Sequence, residues 1–225
     1  MSNFTNPAIL ETPPVAIIRH GKYMHTSNGK KFWPLNPVAE EVHIEVIAHH
    51  LATQGRYNGA TRHPEIKDRI FYSVAEHCVY VAHHMEFELQ RPDLALEALL
   101  HDASEAYIGD LIRPLKYSDE FAEPFKTAER RVEKVIADRF NLVYPFPKEV
   151  HTCDEAVTAA EVEQIIEVDK NDEWVSGMLH DDRNVAPINI EMIQPYEAMQ
   201  GFLGAYHRLM YHRSKYRAVP TSLAL

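Results

Sequence analysis

Cysteine, positive charge and long apolar runs are all scarce in this chain, and each shortage removes a class of protein. Only two cysteines, Cys78 and Cys153, occur in 225 residues. Both fall inside helical patterns, so reduced, buried thiols are expected rather than a disulfide framework. Lys and Arg number 23 against 33 Asp and Glu, a formal charge of −10. A protein that grips DNA or RNA backbone wants a basic face, so a nucleic-acid polymer is not the expected partner. The most basic segment, "YHRLMYHRSKYR" (206–217), reads as a solvated helix end. No apolar run reaches the roughly eighteen residues of a membrane span, and "MSNFTNPAILETPPVAIIRH" has no signal-peptide pattern. No membrane partner is therefore expected, and a cytoplasmic location is. Internal repeats and low-complexity tracts are absent too.

What remains is the composition of a soluble globular protein, 45% hydrophobic and 25% charged. Its length suits one domain over 1–225, long enough to bury a core without staples. The pattern is all-α apart from a small N-terminal β-hairpin at 15–35, whose two extended runs flank Ser27-Asn28-Gly29. Ile44, Ile47 and Leu51 share a helical face that ends at Gly55. Ser73 and Glu76 form a capping box that starts the next helix. A further helix begins near Pro92 and runs through "LEALLHDASEAYIGDLIRPLK" (96–116). A long one follows, with Phe121, Phe125, Ala128, Val132, Val135 and Phe140 toward the core. Another surrounds Asp154, 170–191 is irregular, and the last helix spans about 195–213.

Histidine is abundant, with 14 residues, several in segments that should pack. In 96–116, Leu96, Leu99, Leu100, Ala103, Ala106 and Tyr107 fill an apolar arc, with His101, Asp102 and Glu105 opposite. His77 lies within the stripe Val74, Cys78, Val81 and Met85; Asp154 lies beside Val150, Cys153, Val157 and Ala160. Singly, His77 reads as a hydrogen-bonded core histidine and Asp154 as a surface acid. Together, two imidazoles and two carboxylates make a mixed N/O site suited to a divalent ion with positions open to water. Buried acids are normally paired or bound to a metal. His84 shares a face with His77 but sits about 10 Å along the helix, too far for one ion.

His77, then "HD" at 101–102, then Asp154 resembles the H…HD…D signature of the HD-domain phosphohydrolase superfamily. "VAEH", "HDASE…GD", a Pro-x-Lys and the pair Asp154 and Glu161 resemble the bacterial and phage 5′-deoxynucleotidase branch and the related phage deoxynucleoside triphosphohydrolases. The likeness covers about 32–165 and implies an HD helical bundle with its core at about 40–168. It implies that His77, His101, Asp102 and Asp154 are metal ligands and that Glu105 and Asp110 help catalysis. Arg56-Tyr57 stands at the place of an Arg-aromatic pair that contacts substrate. Dinuclear relatives carry further histidines between the HD pair and the last Asp, whereas here only His151 does, so one ion is expected: Mn, Co or Zn, with Mg behind them. Arg56 and Lys116 are candidate phosphate clamps, and Tyr57 or Trp33 could stack on a base. The function implied is removal of phosphate from deoxynucleotides, the 5′-deoxynucleotidase reaction. The alternatives are a dNTP triphosphohydrolase such as a phage dATPase and, lower, a non-catalytic nucleotide sensor. A homo-oligomer is expected by analogy with this branch.

Overall fold

Ser73 is extended (φ −94°, ψ 152°) and its hydroxyl accepts the Glu76 N–H at 3.1 Å, which opens α2, Val74–His83. The reciprocal half of the expected capping box is not made. Glu76 is buried, and its carboxylate accepts the N–H groups of Met192 at 2.9 Å and Ile193 at 3.0 Å instead. The acid thus ties a distant segment to the start of α2. Val74, Cys78, Val81 and Met85 are all fully buried as their spacing requires, and His77 is buried with them. Beyond His83 the helix widens into one π turn, His84–Glu88.

The computed structural model describes residues 19, 21–167 and 184–217. Positions 15–18 and 20 of the expected hairpin, and the expected irregular stretch as far as residue 183, lie outside them. Helix α2 is central: it packs against α1 (Ile44–Ala52), α3 (Ala95–Leu99), α7 (Lys148–Ile165) and α8 (Pro195–Arg217). Helix α8 also covers α1 and α3 and runs past the expected end at 213. The hairpin is short, β1 (Met24–His25) against β2 (Lys31–Phe32), antiparallel with Met24 opposite Phe32. Asn28 closes its turn by accepting from Thr26 Oγ1 at 2.7 Å and the Lys30 N–H at 3.2 Å. Phe32 is buried and stacks on Tyr107 at 4.0 Å, which fastens the hairpin to the helices.

The stretch 96–116 is not one helix. Helix α3 ends at Leu99, and α4 (Glu105–Ile108) starts only after tight turns, with the Ala103 N–H bonded to Leu100 O and the Glu105 N–H to Asp102 O. Gly109, at φ +77°, ends α4 in a conformation that favours glycine. Helix α5 (Arg113–Lys116) carries Pro114 in its first turn and packs on α6 (Ala122–Phe140). In α6 the buried residues are Val132, Ile136, Ala137 and Phe140, while Phe121 precedes the helix and is exposed. The first turns of α6 extend past the core, so the expected apolar face begins later than its periodicity suggests. Both cysteines are free and buried. Among the described residues no helix is long and apolar enough to cross a membrane.

Candidate metal centre

The break between α3 and α4 is what allows two neighbouring residues to serve one point. Consecutive side chains on a regular helix diverge by about 100°, but His101 and Asp102 sit in the turns, and His101 Nε2 lies 3.2 Å from Asp102 Oδ2. From α2, His77 Nε2 reaches within 3.7 Å of the same oxygen and 3.4 Å of His101 Nε2. Asp154 on α7 places Oδ1 at 3.1 Å from His77 Nε2 and 3.7 Å from His101 Nε2. His77, His101 and Asp102 form a group whose ligand atoms all lie within 4.8 Å of one another.

Two imidazole nitrogens facing each other need something positive between or on them. His101 Nδ1 is 2.8 Å from Ala98 O, and His77 Nδ1 is 2.6 Å from Glu161 Oε1. Each Nδ1 is therefore the donor, which leaves each Nε2 lone pair aimed at the cluster. Ligand atoms about 2.1 Å from one ion stand ~3.0 Å apart at right angles and ~3.4 Å apart at the tetrahedral angle. The separations above fall in or just beyond that range, so the residues present fit a single divalent ion. With protons in place of an ion, the same anions act on the rings. Burial opposes charge on His101, but Asp102 and Asp154 outweigh it and raise its pKa well above the ordinary value. Burial likewise works against the Asp154 carboxylate, yet His101 and His77 hold its pKa well below the usual range. Binding an ion here displaces protons.

Glu161, left without a role in the sequence reading, is the support of the site. It is fully buried on α7, two turns beyond Asp154. Besides His77, its carboxylate accepts from Tyr72 Oη at 2.7 Å, Tyr57 Oη at 2.6 Å and Arg56 Nε at 3.1 Å. Burial would lift its pKa, but Arg56, His77 and Tyr57 together pull it down to about 2. Tyr57 and Asn58 both adopt the left-handed region, at φ 54° and 53°, a strained arrangement for side-chain-bearing residues. That kink delivers the Tyr57 hydroxyl to Glu161. Arg56 continues the network: its guanidinium donates to Thr158 Oγ1 at 3.3 Å and lies 3.5 Å from Asp102 Oδ2. The polar atoms of Arg56 and Tyr57 thus face the supporting carboxylate. The seven-residue spacing from Asp154, on a helix face that is otherwise apolar, was the available signal for Glu161. Tyr72 and Thr158 carry no such mark.

Glu105 follows Asp102, and its N–H bonds to Asp102 O at 3.0 Å. It is buried, and Gln54 Nε2 donates to its Oε2 at 3.1 Å. Burial, then the charges of Asp102 and Asp110, push its pKa well above the ordinary value. Asp110 follows the Gly109 turn and is exposed. Lys116 pairs with Glu129 of α6 at 2.7 Å. Trp33 stays on the hairpin, 5.7 Å from Tyr23 and under Arg19 at 4.9 Å.

A family model described as 5′-deoxynucleotidase YfbR-like matches residues 60–181, which include all four cluster residues. The uncharacterized protein YfdR of Escherichia coli (strain K12) is 32% identical over 120 residues, 53% of this chain and 59% of that protein. An uncharacterized protein of Rhodobacter capsulatus is 33% identical over 146 residues, 61% of this chain and 70% of its own length. The chain thus spans less than two thirds of the E. coli relative.

Proposed function

We infer that this chain, which belongs to the YfbR-like 5′-deoxynucleotidase family of HD-type proteins, is a metal-dependent phosphohydrolase converting deoxynucleoside monophosphates to deoxynucleosides and phosphate. The observation that carries this reading is the pair of imidazole Nε2 atoms, 3.4 Å apart, with Asp102 and Asp154 against them and a protonatable Glu105 nearby. His77, His101, Asp102 and Asp154 would hold the ion. A divalent ion supplies neutralisation of phosphoryl oxygens and acidification of a water molecule. Glu161 keeps His77 in the tautomer that presents Nε2. Burial and the charges of Asp102 and Asp110 raise the Glu105 pKa, which suits it to give a proton to O5′ as water adds to phosphorus and the P–O5′ bond breaks. Asp110 helps hold the proton there by its charge.

A monophosphate is favoured over a triphosphate because the nearby cations are already engaged. Arg56 faces Glu161 and Asp102, and Lys116 faces Glu129. A tripolyphosphate group would need more positive charge than they leave over. A homo-oligomeric assembly remains part of the proposal by analogy with the family.

The test is a screen of deoxy- and ribonucleotide mono- and triphosphates, using protein stripped of metal and reloaded with Mn, Co, Zn or Mg. Orthophosphate is measured with and without pyrophosphatase. The expected result is orthophosphate from deoxynucleoside monophosphates, dependent on added metal. Full hydrolysis by stripped protein in chelator would sink the metal-dependent reading. Preferential release of tripolyphosphate from dNTPs would replace the monophosphatase reading with a triphosphohydrolase.

A further inference from the structure

A cleft of about 560 Å³ opens directly onto Glu105, within the size range of small-molecule sites. Its walls come from three elements. The hairpin turn contributes Ser27, the last turn of α1 and the residues after it contribute His49, Thr53 and Gln54, and α4 contributes Glu105 and Tyr107. The first two walls precede residue 60, where the family match begins.

The chemistry of these walls separates the two halves of a nucleotide. No Lys or Arg lines the cleft among the described residues, and its one acid is Glu105. A phosphate chain laid there would find no countercharge and would meet a carboxyl group. A neutral sugar and base would meet amide, hydroxyl and imidazole groups. Gln54 uses one amide N–H on Glu105, which leaves its carbonyl oxygen and second N–H to face a ligand. Two walls of the cleft are tied to each other. His50 Nε2 accepts the Ser27 N–H at 3.1 Å while its Nδ1 donates to Ala106 O at 2.7 Å, so one ring ties the hairpin turn to α4 across α1.

We propose that this cleft between the hairpin turn, α1 and α4 binds the nucleoside half of the substrate, with Gln54 as a specificity-determining residue. The inference rests on the phosphohydrolase reading. The cleft ends at Glu105, whose backbone N–H bonds to Asp102 O at 3.0 Å, so a nucleoside seated there leaves its phosphoryl group to the His77, His101, Asp102 and Asp154 cluster.

Ser27 and Thr53 are exposed, so a large side chain at either fills the cleft without entering the core. The experiment measures binding of deoxyadenosine, deoxyguanosine, deoxycytidine, thymidine and inorganic phosphate to metal-loaded protein by calorimetry. Wild type, Ser27→Trp, Thr53→Trp and Gln54→Leu are compared, with thermal melting as the check on folding. Saturable binding of at least one deoxynucleoside is expected, weakened at least tenfold by both tryptophan variants, with phosphate affinity altered less than twofold. Gln54→Leu is expected to change the ranking of the four nucleosides. Unchanged nucleoside affinity in both folded tryptophan variants would overturn the proposal, as would phosphate binding with no nucleoside binding in wild type. Either result leaves the phosphohydrolase reading standing, whereas that reading fails on absence of metal-dependent hydrolysis with every substrate in the screen above.

Discussion

Glu161 and Glu105 are the same residue type, both buried, one bonded to His77 and the other to Asp102 of the candidate metal centre, and their pKa values are driven in opposite directions. Glu161 receives His77, Tyr57, Tyr72 and Arg56 on its two oxygens and is held at about 2. Glu105 receives one amide N–H and faces Asp102 and Asp110, and it is pushed well above the ordinary range. Burial works in the same direction on both. The difference comes from the count and sign of the groups that meet each carboxyl, which is why one suits a fixed anion and the other a proton carrier.

The largest expected effect breaks the Glu105 side. Glu105→Gln should lower kcat by about 10²–10⁴-fold while metal affinity stays within a few-fold. Because the protonated form is the working one, wild-type kcat should fall as pH rises through the raised pKa. That alkaline limb should vanish from the residual rate of Glu105→Gln, and its persistence there would assign it to another group.

A third buried acid sharpens the comparison. Glu76 takes two backbone N–H groups and the Tyr80 hydroxyl but no cation, and burial leaves it raised to about 7. Its folded-state pKa exceeds its unfolded one, so the stability it contributes is complete at acid pH and is lost as pH climbs from the ordinary glutamate value to about 7. Over that window the loss should be on the order of 3 kcal/mol. Denaturant titrations at pH 5 and pH 8 should show a smaller difference in Glu76→Gln than in wild type.

Glu161→Gln comes next. It should weaken metal binding about 10–100-fold, read directly by competition with a chelating dye, with activity recovering in part at saturating metal. Unaltered metal affinity would reduce Glu161 to a packing role. Tyr72→Phe, which removes one donor of the set, should cost roughly 1 kcal/mol of stability. Its effect on metal affinity should be smaller than that of Glu161→Gln.

Much of this organisation is legible in the residues. The Val74, Cys78, Val81 and Met85 stripe, and that of Val150, Cys153, Val157 and Ala160, are buried as their 3.6-residue spacing demands. His77, His101, Asp102 and Asp154, singled out as odd polar members of apolar segments, do converge. Periodicity erred where it assumed a regular helix. The turns from Leu100 to Ser104 break α3 from α4, and that irregularity lets His101 and Asp102 face one point. Local pattern also could not tell that Tyr57 would be kinked toward Glu161, since that depends on an element far along the chain.

By itself the sequence determined most of the helical segments, their apolar faces and which four polar side chains stand out among them, because these follow from local spacing and residue chemistry. Only the tertiary structure decided the direction in which the pKa of Glu76, Glu105 and Glu161 moves, the tautomers of His77 and His101 and the existence of a cleft beside Glu105 lined by no Lys or Arg among the described residues. Those properties are sums of electrostatic and desolvation terms over neighbours that the chain brings together from α1, α2, α4 and α7, and no single segment contains them.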